Sequence, residues 1–466
     1  MTTKFKAILA LILALCMILP VAACGEESDG VSSSDDATGA MTESTDSTEE
    51  AASEDSSSEE SKEESMEYDP VLTADPLNYK YMKGTWLYQY TNEGLFKTGG
   101  KQRPEADYRK KVEKICENLQ RDGYNTIFLQ VRGHGDSFYP SEVSPPTTYV
   151  VDSYTDTFDY DPLKIFCEVA KEYKLSLHAW INPYRLLTAG QMANVPETYR
   201  IGKWYREKNG DYVVQGPDGR YYCNPAYDEV QQLVIDGVME LCQNYDIAGI
   251  HMDDYFYISI EDEAEDLAFD QKAYDLLYDG LAEDNLENRK AWRRQNVNTL
   301  VQKLFAKVHE YNPDMLFGIS PGGNIDNNQI GYLCADVKTW CSTPGYVDYI
   351  APQVYWSFSH SWNKARFNIC TNNWANMVTC EDVRLIVGIG LYRAVEPTQS
   401  SSDPDWFKRK DNIKRMLNFV YNHEGATGFI MFSYESMYNV VTGAYNPAIS
   451  TEQGKFLPLL KQEPQI

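Results

Sequence analysis

An α/β protein built as a (β/α)8 barrel (a TIM barrel) with long loops after its strands, behind a disordered acidic tether, is what this sequence predicts, on three observations. Eight short runs rich in apolar and aromatic residues recur between residues 84 and 432, each followed by a longer amphipathic stretch; a parallel sheet covered by helices reads this way. No G-x-G-x-x-G follows the first run, as an open doubly wound dinucleotide-binding sheet would have it. Polar and aromatic residues also collect at the C-terminal end of every run, where barrels place their chemistry.

The chain opens with Lys4 and Lys6, an apolar run from Ala7 to Leu19, and then Val21-Ala22-Ala23-Cys24. The run is short for a membrane span and ends in small residues, the pattern of an export signal over residues 1–24. A cysteine directly after Val-Ala-Ala resembles a lipobox. Cys24 is therefore the expected lipidated residue, and the outer surface of the bacterial cell membrane the expected location. Residues 25–72 are rich in Ser, Glu and Asp, with 17 acids against one lysine between 25 and 70, more than half of the net charge of −27. Such a stretch cannot bury enough apolar surface to offset its chain entropy and reads as an extended linker. Residues 73–466 are then the folded domain. They remain acidic, which excludes nucleic acid as the main partner, since no positive field attracts a polyanion.

Within the domain, strands are expected at Gly84–Tyr88, Thr126–Val131, Ser176–Ile181, Ala248–Asp253, Leu316–Ser320, Tyr349–Tyr355, Leu385–Gly390 and Gly428–Phe432. Helices are expected at Tyr108–Arg121, Pro162–Tyr173, Glu229–Tyr245, Arg293–Tyr311 and Asp405–His423. Asp161-Pro162 and Asn224-Pro225 supply start signals. The ~390 residues beyond the linker exceed the ~250 of a typical barrel. Long loops are thus expected after strand three (Leu186–Tyr222) and strand four (Ile258–Trp292). Of the eight cysteines after Cys24, Cys116, Cys167 and Cys242 fall in helix-like apolar stripes, where a thiol is a small hydrophobe. Only Cys334/Cys341 and Cys370/Cys380 are close enough in sequence to consider as bridges.

The strand ends read QVRGHGDSFYPSE (130–142), LHAWINPYR (177–185), GIHMDDYFY (249–257), FGISPGG (317–323), IAPQVYW (350–356), GIGLYR (388–393) and FSYES (432–436). In this order, over about residues 80–440, the set resembles the glycosyl-hydrolase-like family 10 of bacterial, often lipid-anchored, hydrolases. The resemblance implies a (β/α)8 fold, a glycoside hydrolase and, as substrate, a cell-wall glycan, since one member acts on peptidoglycan strands lacking stem peptides. It implies no cofactor.

Glycoside hydrolysis commonly uses two carboxyl groups, one protonated and one ionised. Alternation along strand four turns His251 and Asp253 to the barrel axis, making Asp253 the first choice for nucleophile or base; the direction of Asp254 is open. Glu435, expected on one face of strand eight with Met431 and Ser433, is the preferred acid, with Asp136 and Glu142 as competitors. Sugars present flat apolar faces edged with hydroxyls. Trp86, Trp180, Tyr184, Tyr255, Tyr355, Trp356 and Tyr392 are candidates for stacking, and Gln130, His178, Asn182, His251 and Gln353 for hydrogen bonding. Arg132, Arg185 and Arg393 suit a substrate carboxylate. They could equally tether Asp253 or neighbouring loops. Two other readings stay open: a glycan-binding lipoprotein without catalysis, and a metal-dependent hydrolase using His178, His251 and Asp253, which lacks a His-x-His on strand one. No zinc motif is present, so no metal is expected.

Overall fold

The computed structural model describes residues 70–88, 93–207, 211–397 and 399–463. The expected signal, Cys24 and the linker up to residue 69 lie outside these residues. Eight strands form the central sheet: β1 (Met82–Leu87), β2 (Thr126–Arg132), β3 (Ser176–Ile181), β4 (Gly249–Met252), β5 (Leu316–Ile319), β6 (Tyr349–Ile350 and Gln353–Val354), β7 (Arg384–Leu385 and Val387–Ile389) and β8 (Gly428–Met431). All pairings are parallel, running β1 to β6 in order. The ring then closes. The first half of β6 pairs with the first half of β7, the second half with the second, β7 pairs with β8, and β8 returns to β1. Pro352, which has no N–H to give, sits at the break in β6, and Ala351 N–H still reaches Ile319 O at 2.8 Å.

Eight helices follow the strands: α1 (Glu105–Asp122), α2 (Pro162–Glu172), α3 (Asp228–Asn244), α4 (Leu286–Tyr311), α5 (Val337–Ser342), α6 (Phe367–Met377), α7 (Asn412–Tyr421) and α8 (Ser450–Leu460). Their apolar faces and the outward side chains of the sheet make the larger hydrophobic core. Asp161 caps α2 as its sequence indicates, its carboxylate accepting from Leu163 and Lys164 N–H with Pro162 in the first turn. Asn224-Pro225 does not start α3, which begins at Asp228. The helix expected from Arg293 begins at Leu286. Its first turns bury Arg289 and Arg293, which no hydrophobic period reveals. Arg289 pairs with Asp270 at 2.8 Å, and Arg293 with Asp266 at 2.5 Å and Asp270 at 2.7 Å. These pairs pin the loop after β4, including its short helices Glu263–Phe269 and Gln271–Leu277. The loop after β3 folds into its own antiparallel sheet of Arg185–Thr188, Arg220–Cys223 and Val213–Gln215. All eight described cysteines are free, Cys334/Cys341 and Cys370/Cys380 included.

The barrel interior is a second cluster around Met82, Trp86, Phe128, Trp180, Leu316, Tyr349, Ile386 and Ile430. Gly249 and Gly318 make room for it: a Cβ would stand 2.6 Å from His178 Nδ1 at the former and 2.1 Å from the Tyr349 ring at the latter. Through this interior runs a hydrogen-bond chain whose direction is fixed at one end. Trp86 Nε1 can only donate, and it donates to His251 Nε2 at 3.0 Å. His251 therefore carries its proton on Nδ1 and gives it to Tyr349 Oη, 3.0 Å away. Tyr349 in turn donates to His178 Nδ1 at 3.0 Å, and His178 Nε2–H donates to Asn78 Oδ1 at 3.1 Å. Asn78 comes from a hairpin not anticipated from sequence (Val71–Ala74 with Leu77–Tyr79), which begins two residues inside the segment read as linker. Its Nδ2 donates to Ala248 O at 3.0 Å, so the hairpin seals the N-terminal end of the barrel. Both imidazoles are neutral here, since burial holds His251 well below the usual histidine range and His178 at about 3.

Removing the middle hydroxyl leaves a buried imidazole donor and a buried imidazole acceptor unpaired. At about 1–3 kcal/mol for each orphaned group, Tyr349→Phe should lower stability by about 2–6 kcal/mol in urea unfolding. A loss under 1 kcal/mol would show that the chain carries no such weight.

Candidate active site

Asp253 stands just past β4, 4% exposed, at the C-terminal mouth of the barrel. Three donors converge on its carboxyl. Trp180 Nε1 gives to Oδ2 at 3.1 Å, Asn182 Nδ2 gives to the same oxygen, and Tyr255 N–H gives to Oδ1 at 3.3 Å. The Asn182 amide is itself oriented, because Gln130 Nε2 donates to its Oδ1 at 2.7 Å. Burial, and next the charge of Asp254, hold Asp253 well above the usual carboxylate range, and these outweigh the donors.

Asp254 is partly exposed and lies close to Gly322 after β5, where a Cβ would sit 3.4 Å from Oδ2. Enclosure pushes it up to about 6, against Gln353 and Arg185, which favour its charged form. The Arg185 guanidinium stacks over Tyr255 at 4.5 Å from the ring centre. Arg220, which the sequence reading did not single out, stands close enough to Arg185 for the two charges to repel. Burial, and next the field of this pair, keep His134 well below the histidine range. Two adjacent carboxyls with different proton affinities thus stand beside a cationic flank, an arrangement suited to moving one proton.

The other expected residues divide by depth. Tyr355, Trp356, Tyr392, Tyr255, Arg185, Arg393 and Gln353 are partly exposed around the strand ends. Tyr355 and Tyr392 pack against Phe432 at 6.0 Å, and Tyr88 stacks on it at 5.8 Å. Tyr88 and Phe432 were missed as site residues, although Phe432 opens the strand-eight motif. Gln353 Nε2 donates to Ser320 O at 3.1 Å. Arg393 reaches the buried Asp403 at 3.3 Å, the tethering role left open for it. Asp136 is buried and accepts from His134 N–H at 3.2 Å. Glu142 is exposed, and its N–H donates to Glu240.

Five of the expected sugar-facing residues lie in the interior instead. Trp86, His178 and His251 are in the barrel's own hydrogen-bond chain, and Trp180 spends its N–H on Asp253. Tyr184 is fully buried on the outer side of the sheet. Arg132 is also turned away from the mouth. A one-residue bulge between Gln130 and Arg132 interrupts the register of β2, and Arg132 is 2% exposed. Because every imidazole nitrogen of His178 and His251 is engaged, they cannot hold a metal with Asp253. No group of metal-ligating residues occurs among the described residues.

Glu435 is not on a strand face. β8 stops at Met431 and Glu435 belongs to the helical turn Tyr434–Met437. Its Oε1 accepts from Tyr88 N–H at 3.2 Å. In a ring of eight, β4 and β8 are diametric, so Asp253-Asp254 and Glu435 stand on opposite sides of the mouth.

Residues 81–408 match the family model described as Glycosyl hydrolase-like 10. The chain is 30% identical to the glycosyl hydrolase YngK of Bacillus subtilis over 323 residues, 66% of this chain and 60% of the relative's length. It is also 30% identical to the glycosyl hydrolase DigH of Escherichia coli K12 over 314 residues, 63% of this chain and 68% of that protein. Among solved structures, the catalytic domain of β-amylase from Paenibacillus polymyxa superimposes with a TM-score of 0.51 at 12% identity, covering 82% of this chain and 99% of that one, which is a likeness of fold.

A carboxyl whose folded proton affinity is raised takes up more protons folded than unfolded. Its effect on stability is therefore neutral below pH ~4 and increasingly unfavourable as the pH rises from there towards the folded value. Asp253→Asn should accordingly raise Tm at pH 7, and the gain should shrink as the pH is lowered to 4. A lower Tm at pH 7 would mean that the ionised carboxylate stabilises the fold.

Proposed function

Because the chain belongs to the Glycosyl hydrolase-like 10 family, we propose that it hydrolyses glycosidic bonds of an extracytoplasmic polysaccharide, most naturally the glycan strands of the cell wall. The observation that carries this reading is the pair at the end of β4: one carboxyl buried under three donors, the next partly exposed in a mouth walled by Tyr88, Tyr355, Tyr392 and Phe432. A group that reaches substrate and binds its proton at about 6 is matched to general acid catalysis near neutral pH. Asp254 is thus assigned proton transfer to the leaving oxygen, and Asp253 is its buried neighbour, whose charged form burial disfavours. Glu435, across the mouth, is the carboxylate facing the other side of the sugar. These roles differ from those read from sequence, where Asp253 was the charged group and Glu435 the acid. The reason is the low-dielectric site that β3 and β4 build around Asp253. Arg185 beside the pair suits a glycan bearing carboxylates, as muramic acid does.

Release of reducing ends from purified glycan strands, free of stem peptides, tests the reaction. Asp254→Asn should cost several powers of ten in kcat, with less loss on substrates carrying a good leaving group, and should abolish a fall in rate as the pH rises through about 6. Asp253→Asn, which imitates a protonated Asp253, should stay within about tenfold of the wild type. The reverse ranking would return the charged role to Asp253. Binding without any release by the wild type would make the protein a glycan-binding module.

The proposed location rests on the motif Val21-Ala22-Ala23-Cys24; among the described residues no helix is long and apolar enough to cross a membrane. Cys24→Ala should release the protein from the membrane fraction or block its maturation. Unchanged fractionation and size would remove the lipid anchor from the proposal.

A further inference from the structure

A tryptophan left in water is uncommon, because the indole is the bulkiest of the apolar side chains. Of the nine tryptophans, all within the described residues, only Trp362 is exposed, at 41%. It lies in the loop between β6 and α6, where the short helical turn Asn363–Ala365 begins. That loop is fastened on both sides of the indole. Ser361 N–H donates to Ser402 O at 2.7 Å, in the loop after β7. Arg366 Nε donates to His360 O at 3.0 Å, and Lys364 pairs at 2.7 Å with Asp326, in the short helix after β5. The ring is therefore presented from a held backbone, which lowers the entropy lost when something docks on it.

Trp362 also continues the mouth. A Cβ on Gly322 would sit 3.4 Å from Asp254 Oδ2, and a Cβ on the next residue, Gly323, would sit 2.7 Å from Cζ3 of Trp356. Two residues without side chains thus make the floor between the carboxyl and the first indole. Gly323 is fixed from beneath, since Trp374 Nε1 donates to its carbonyl at 2.9 Å. Trp356, partly exposed, meets Trp362 edge to face with ring centres 6.4 Å apart, within the range of an attractive pair. Their planes are 84° apart, so no single sugar ring lies flat on both. The row Asp254, Gly322-Gly323, Trp356, Trp362 leads from the mouth to the surface on the β5–β6 side of the barrel.

We propose that Trp362 is an outer sugar-binding platform, which takes the apolar face of a sugar in the same chain that Asp254 acts on, at least one ring beyond the cleaved bond. The class of ligand rests on the glycoside hydrolase reading above. A protein partner is the competing occupant of an exposed indole. It would need a contiguous apolar patch, whereas the sequence neighbours of Trp362 are Ser359, His360, Ser361, Asn363 and Lys364. Such a polar rim suits the hydroxyls at the edge of a sugar instead. The consequence is a preference for long chains, because a short one that fills the mouth does not reach Trp362.

Peptide-free glycan strands separated by length, and N-acetylglucosamine oligomers, should bind more tightly the longer they are. The titrations use the native protein and Asp254→Asn, which limits cutting during the measurement. Trp362→Ala should weaken binding of the longest strands by about tenfold and flatten the dependence on length. Trp362→Phe, which keeps a flat ring, should restore most of it. The side chain is exposed, so Tm should stay within about 2 °C in both variants. Binding is read apart from turnover: a native protein that binds in this way but cuts nothing would remove the hydrolase reading and leave this one standing. Equal affinities of the native protein and Trp362→Ala at every length, or no binding of either glycan by the native protein, would overturn the platform. So would sedimentation showing a native dimer that Trp362→Ala dissociates, which would make the indole a contact between copies.

Discussion

Taking the Asp253 carboxyl out of water disfavours its charged form, and the barrel mouth is arranged around that constraint. Trp180, Asn182 and the Tyr255 N–H surround it with donors, but they do not offset burial and the neighbouring charge of Asp254. Asp254, partly exposed beside it, is pushed up to about 6 by its own burial, against Gln353 and Arg185. The chemistry assigned to the site follows from this asymmetry. Two identical side chains at adjacent positions differ because one ends beneath the layer of rings and the other at its surface.

That layer has to be rigid for the asymmetry to persist, and the interior chain from Trp86 to Asn78 supplies the rigidity. Each member has its donor and acceptor matched, so an imidazole that rotates breaks two bonds and one that ionises loses the bond it accepts. The chain ties β1, β3, β4 and β6 together across the barrel and ends on the N-terminal hairpin. His251 stands two residues before Asp253 on β4, so the register of the carboxyl is set by the same contacts that fill the barrel.

Outside the barrel the charged groups follow a different rule. Arg289 and Arg293 are buried and ion-paired with aspartates, and they hold the long loop that carries the backbone on from Asp254. Arg132 is buried as deeply without such a partner.

The sequence by itself determined the eight strand–helix units, the polar and aromatic strand ends and the candidate pair Asp253-Asp254. These are carried by short-range periodicity and by a mouth-end pattern that survives errors of a residue or two in each boundary. The tertiary structure decided depth and direction. Alternation correctly turned His251 inward, yet nothing local distinguishes an inward histidine at the mouth from one bonded to Trp86 beneath it. The bulge at Val131 leaves that residue without a partner on β3 and changes the face of Arg132, the last residue of β2. Glu435 leaves its strand at Met431 for a helical turn, and Asn78 enters the barrel from a hairpin whose partners lie up to 236 residues away. Proton affinity is likewise beyond local reach, because it depends on which strands bring their rings and charges around a carboxyl, and that is known only once the ring has closed.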